Sequence, residues 1–169
     1  MLSLRFAAIA VVFAASAFAQ EPTGFAMGWM PEFKATTTEL MLLAQATPAE
    51  KFAWRPADGV RSISEVYVHI AVANKFFLMT CGAKPNMSKL RDAEKKITSK
   101  DDVIAFLKES IDEVEKAYPT LDRSKAVKFM KDDTTVEGVL VHMISHTNEH
   151  LGQSIAYARM NKIVPPWSN

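Results

Sequence analysis

The sequence predicts an all-α protein, a four-helix bundle with long connections between its helices. Three observations carry that expectation. Four stretches repeat apolar residues at helical spacing. Almost no run alternates apolar and polar residues with period two, so strands are not expected. The capping residues and prolines fall largely between the four stretches, where helices start and stop.

The chain begins with a short basic start, Met1 to Arg5, and an apolar run from Phe6 to Ala17. That run is too short to span a bilayer comfortably. Ala17-Phe18-Ala19 offers small residues where a signal peptidase reads them. Residues 1–19 therefore predict a secretory signal peptide cleaved after Ala19, and a periplasmic or secreted protein with no stable membrane span after cleavage. A retained N-terminal anchor is the alternative. No cysteine follows the cleavage point to carry a lipid. Residues 20–169, about 150 in number, suit one domain with a real core.

Pro31 is expected to open the first helix at its first position. Phe33, Thr37, Leu40, Met41 and Leu43 form its stripe, which runs to about Ala46. Residues 48–59 are a connection. Ser62-Ile63-Ser64-Glu65 is a capping box that starts the second helix. Val66, Ile70, Ala73 and Phe77 follow, with His69 beside them, and Gly82 ends the helix. Residues 84–100 read as a polar loop. Ser99 caps the third helix, and Asp101 and Asp102 favour its positive end. Val103, Phe106, Leu107, Ser110, Ile111 and Val114 make its buried face, and Pro119 stops it.

Residues 121–133 read as a second long connection, in which Phe129-Met130 docks on the core. Thr134-Thr135-Val136-Glu137 offers a second capping box. The last helix carries Val136, Val139, Leu140, Met143, Leu151, Ile155 and Ala158 to about Asn161, a residue type that tolerates a left-handed cap. Val164-Pro165-Pro166-Trp167 is a stiff tail whose tryptophan folds back on the bundle.

Formal net charge is +1, and loss of Arg5 with the signal brings it near zero. With no basic stripe bearing aromatics, nucleic-acid binding is not suggested. The one cysteine, Cys81, has no intramolecular partner and reads as a small core residue.

Chemistry gathers in the last helix, which holds His142, His146 and His150. Residues four apart share a helix face, so His146 and His150 can aim two imidazoles at one point. His69 would supply a third from another helix. Three neutral imidazoles plus water make an open site suited to zinc, nickel or iron. Water on such an ion ionises near neutral pH and becomes a nucleophile. Four residues advance about 400°, so the three histidines drift round the helix. One ion takes two neighbours more easily than all three, and we assign His146 and His150, with His142 packed or behind them.

His146-Thr147-Asn148-Glu149-His150 matches H-x-x-E-H, a protease motif in which Glu149 would be the general base. Only 19 residues follow His150, which leaves little room for a further carboxylate ligand, so Glu149 is a weak candidate and the catalytic residues stay open. Gln153 and Tyr157 read as helix-surface residues, with a substrate-facing role as the alternative. A bundle whose histidines merely pack, with no metal, is the bland reading.

The run from His146 to Gln153, followed by Tyr157-Ala158-Arg159-Met160-Asn161 and Ile163-Val164-Pro165-Pro166-Trp167, resembles the C-terminal signature of the DinB/YfiT family. Residues 61–71, with His69, resemble that family's second-helix motif. The resemblance implies a four-helix bundle, a mononuclear metal on His69, His146 and His150, and a homodimer. It also implies an unidentified small-molecule substrate. Some relatives are thiol-dependent S-transferases, and many others are described as metal-dependent hydrolases. Export counts against the transferase here, because low-molecular-weight thiols are chiefly cytosolic. The expectation is therefore an exported hydrolase-type metalloprotein. The alternatives are a thiol S-transferase and a non-enzymatic module that binds metal or a partner.

Overall fold

The computed structural model describes residues 24–168. The predicted signal peptide and its cleavage point lie outside them. Helix α1 spans Trp29–Ala46, α2 Ile63–Thr80, the short α3 Ala93–Lys96, α4 Lys100–Ala117 and α5 Val136–Met160. The four long helices form the expected bundle. Their main contacts close a ring, α1 to α5, α5 to α2, α2 to α4 and α4 to α1. Two successive pairs, α1 with α2 and α4 with α5, are not ring neighbours. Their connections must therefore cross an end of the bundle, which explains their length.

Local signals set most helix ends. Ser62 accepts from the Glu65 amide while the Glu65 carboxylate accepts from the Ser62 amide, a complete capping box. Ser99 accepts from the Asp102 amide at the start of α4. Gly82 has φ 91° and ends α2. Its amide reaches the Met79 carbonyl and the Ala83 amide reaches Leu78, the two bonds of a Schellman motif.

Six local expectations are corrected. Gly28 caps α1, so Pro31 is its third residue; the amide it lacks has no helical partner there anyway. Residues 126–135 form an antiparallel hairpin, β1 Ala126–Phe129 paired with β2 Asp132–Thr135. Thr134 belongs to β2, and Thr135 caps α5 by accepting from the Gly138 amide at 3.2 Å. A side chain on Gly138 would meet the Thr134 hydroxyl, which would have to turn aside. Asn161 caps α5 with φ −94°, and the left-handed residue is Lys162 at φ 62°. The polar segment after Gly82 contains α3. Of the pair expected to dock, Phe129 packs against the core while Met130 is 80% exposed.

The core joins Phe33 and Leu40 of α1, Tyr67, Ile70 and Phe77 of α2, Phe106 and Leu107 of α4, and Leu140 and Met143 of α5. Trp29 stacks between Phe33 and Tyr118 and donates to the Leu140 carbonyl at 2.8 Å, which ties α1 to α5. Trp167 folds back against the core, as expected, and Cys81 is buried. Among the described residues no helix is long and apolar enough to cross a membrane.

Candidate metal centre

Contact between α2 and α5 brings His69 against His146 and His150. The ring centroids are 5.1 Å apart for His69 and His146, 4.9 Å for His69 and His150, and 4.4 Å for His146 and His150. His150 is buried, and the other two are half-buried. Each histidine offers one ring nitrogen to a cluster whose members all lie within 4.8 Å of one another. Nitrogens each about 2.0–2.1 Å from one tetrahedral ion stand about 3.3 Å apart. Small side-chain movements therefore bring the three within reach of a single ion.

Hydrogen bonds decide which nitrogens face inward. His69 Nδ1 lies 3.1 Å from the Glu94 carboxylate, which only accepts, so Nδ1 carries the proton. The other Glu94 oxygen accepts from Arg61 Nε at 2.9 Å. His150 Nδ1 donates to Gln153 Oε1 at 2.7 Å, and Gln153 Nε2 donates to the Tyr157 hydroxyl at 2.9 Å. In the neutral form each of these rings then carries its lone pair on Nε2. His69 Nε2 lies 3.1 Å from His146 Nε2. The His69 lone pair therefore meets either an Nε2–H donated by His146 or a cation held between the two rings. Buried His146 Nδ1 has no hydrogen-bond partner among the described residues. The residues present therefore fit a divalent metal, and an all-imidazole donor set suits zinc, nickel or iron.

Electrostatics favours the neutral, ligating form of His146 and His69. Burial, then the nearby His150, His69, His142 and Arg61, pushes the His146 pKa down to about 4. Burial, then Arg61 and His150, also lowers that of His69, while Glu94 opposes the shift.

Other predicted residues fall elsewhere. His142 is exposed, with its ring packed on Phe77 and Phe129. Phe77 also meets His146 edge-on, so an aromatic wall borders the cluster. Glu149 is exposed and is not one of the clustered groups. Gln153 is half-buried against His150, and Tyr157 is buried with its ring edge-on to Trp54. Neither is the surface residue the sequence suggested. Glu94 was missed altogether, because no motif marks it within a polar segment.

Fold and site together define a helical bundle carrying a histidine cluster between two of its helices. The chain belongs to the DinB superfamily, whose model matches residues 32–154, a span that includes all three histidines. The crystal structure of a DinB-like protein from Bacillus cereus ATCC 10987 is similar, with a TM-score of 0.71 and 17% identity. The match covers 85% of this chain and 97% of that one. At such identity the likeness speaks for the fold alone. No curated protein matches the chain significantly.

Proposed function

We propose that this DinB-superfamily chain is an exported metalloprotein with hydrolase-type chemistry, whose His69, His146 and His150 hold one divalent transition metal. The observation that carries the reading is the convergence of three imidazoles from two helices on one point. When bound, the ion would polarise a carbonyl or phosphoryl oxygen and lower the pKa of water beside it. The protein's own part is orientation. Glu94 and Gln153 hold the rings of His69 and His150 with Nε2 turned inward. Phe77 packs edge-on against His146, and Phe129 packs against Phe77. The substrate is a small molecule, and a homodimer and export are parts of the same proposal.

Elemental analysis of the protein, purified without a histidine tag, tests the reading. We expect one zinc, nickel or iron per chain, lost in the His146→Ala/His150→Ala variant. Unchanged metal content in that variant would sink the assignment. The loaded protein should then hydrolyse members of an ester and amide panel without added thiol. Turnover only when a thiol is supplied would mark an S-transferase instead. Metal retention with no turnover on any substrate would mark a binding module. Export is checked by the N-terminus of protein recovered outside the cytoplasm, expected at Gln20.

A further inference from the structure

The connection between α2 and α4 delivers a carboxylate to the histidine cluster from a segment with no other visible task there. Glu94 follows Ala93, which is 2% exposed and anchored in the core. The short α3 packs along α2. Asp92 starts α3 in a left-handed conformation, φ 58°, and its carbonyl accepts from the amides of Lys95 and Lys96. One Glu94 oxygen then meets His69 Nδ1 at 3.1 Å, and the other meets Arg61 Nε at 2.9 Å.

We propose that Glu94 is the positioning residue of the centre, and that through it metal binding and the order of the α2–α4 connection are coupled. This rests on the reading of His69, His146 and His150 as a metal site. A carboxylate on the outer nitrogen of a ligating histidine fixes the tautomer and turns the ring toward the ion. Arg61 holds the carboxylate from its far side, so Glu94 keeps the direction that His69 needs. The coupling is reciprocal. If an ordered Glu94 strengthens metal binding, bound metal must strengthen the order of Glu94 and its helix. A plain surface ion pair between Arg61 and Glu94 would contribute little and would leave metal affinity alone.

The test uses the mature protein and its Glu94→Ala and Glu94→Gln variants. Zinc affinity is read by competition with a chromophoric chelator, and amide hydrogen exchange is followed over residues 95–97. We expect Glu94→Ala to weaken zinc binding about 10- to 100-fold. Glu94→Gln keeps an acceptor but loses the charge, so its loss should be smaller. Should the alanine variant fail to fold, the glutamine variant alone must still show a loss. Zinc should slow exchange at residues 95–97 in the parent protein and not in Glu94→Ala. A lower melting temperature in Glu94→Ala with affinity within twofold of the parent would make Glu94 merely structural and overturn the proposal alone. A parent protein that binds no zinc, nickel or iron would overturn the centre itself, and this proposal with it.

Discussion

Lys75 is fully buried, with Nζ 3.1 Å from Glu109 and 2.6 Å from Glu113 and the Phe106 ring 5.6 Å away. The two carboxylates keep access to water, at 33% and 23% side-chain exposure, whereas the ammonium has none. Breaking the cluster from its two sides should therefore cost different amounts. Glu109→Gln with Glu113→Gln strands a charge in the core and should destabilise by about 3–5 kcal/mol. Lys75→Met leaves carboxylates that water can reach and should cost less. Urea denaturation compares the two, and a larger loss for Lys75→Met would refute the asymmetry. Burial also pushes the Cys81 thiol up to about 11, so iodoacetamide at neutral pH should modify it only in unfolded protein. Rapid alkylation of the folded chain would contradict this placement. At this scale the sequence discloses what is local. His146 and His150 are legible as a pair because helical geometry alone puts them together. Gln153 lies within the same reach of His150, yet periodicity does not say which helix flank a partner covers. Glu94 meets His69 across 25 residues of sequence, and only the packing of α3 on α2 makes that contact.

The helix ends supply a matched pair of tests. Both α2 and α5 finish in Schellman motifs, the second made by the Lys162 amide to Arg159 and the Ile163 amide to Ala158. The left-handed position is Gly82 in one, at φ 91°, and Lys162 in the other, at φ 62°. A Cβ at Gly82 would find ordinary contact distance, 3.6 Å from Lys125 Nζ, so strain in the backbone dominates its cost. Gly82→Ala should therefore destabilise by about 1 kcal/mol, and Lys162→Gly should stabilise by up to about the same amount. Thermal melting reads both shifts, and shifts of the same sign would refute the argument. Helices are legible in this sequence because their caps and apolar periods are written within single turns. The hairpin is not. Strand β2, Asp132-Asp133-Thr134-Thr135, has no apolar residue, and Met130 occupies a positive-φ turn position where glycine or asparagine is the usual signal. What holds the hairpin is tertiary, since Phe129 packs on Phe76, Phe77 and His142. The Thr134-Thr135 ambiguity has the same origin. Either threonine can cap a helix; both are paired in β2, and Thr135, the last residue of the strand and the one directly before α5, takes the task.

Across the whole molecule, the ring of helices ties the histidine cluster to global stability. The cluster joins α2 to α5, so an ion held there would cross-link the bundle at one of its four contacts. A ligand that binds only the folded state stabilises it by about 2.7 kcal/mol at a hundred times its dissociation constant. For a domain of this size that corresponds to a rise in melting temperature of roughly 5–10 °C. Proton linkage sets where the rise is seen. The His146 pKa falls from an ordinary 6.5 to about 4 in the folded, metal-free chain, and His69 shifts in the same direction. Above pH 6.5 both folded and unfolded imidazoles are neutral, so the folded state keeps its full stability. As pH falls from about 6.5 to about 4, the unfolded chain takes up the His146 proton first and stability is lost, levelling off once the folded ring is protonated too. Protons also compete with the metal for the same lone pairs, so the contribution of zinc should shrink over the same interval. We therefore expect zinc to raise the melting temperature strongly at pH 7.5 and little at pH 4.5. The His146→Ala/His150→Ala variant should show no such rise at either pH. A zinc effect of equal size in that variant would mean that the stabilising ion sits elsewhere on the molecule.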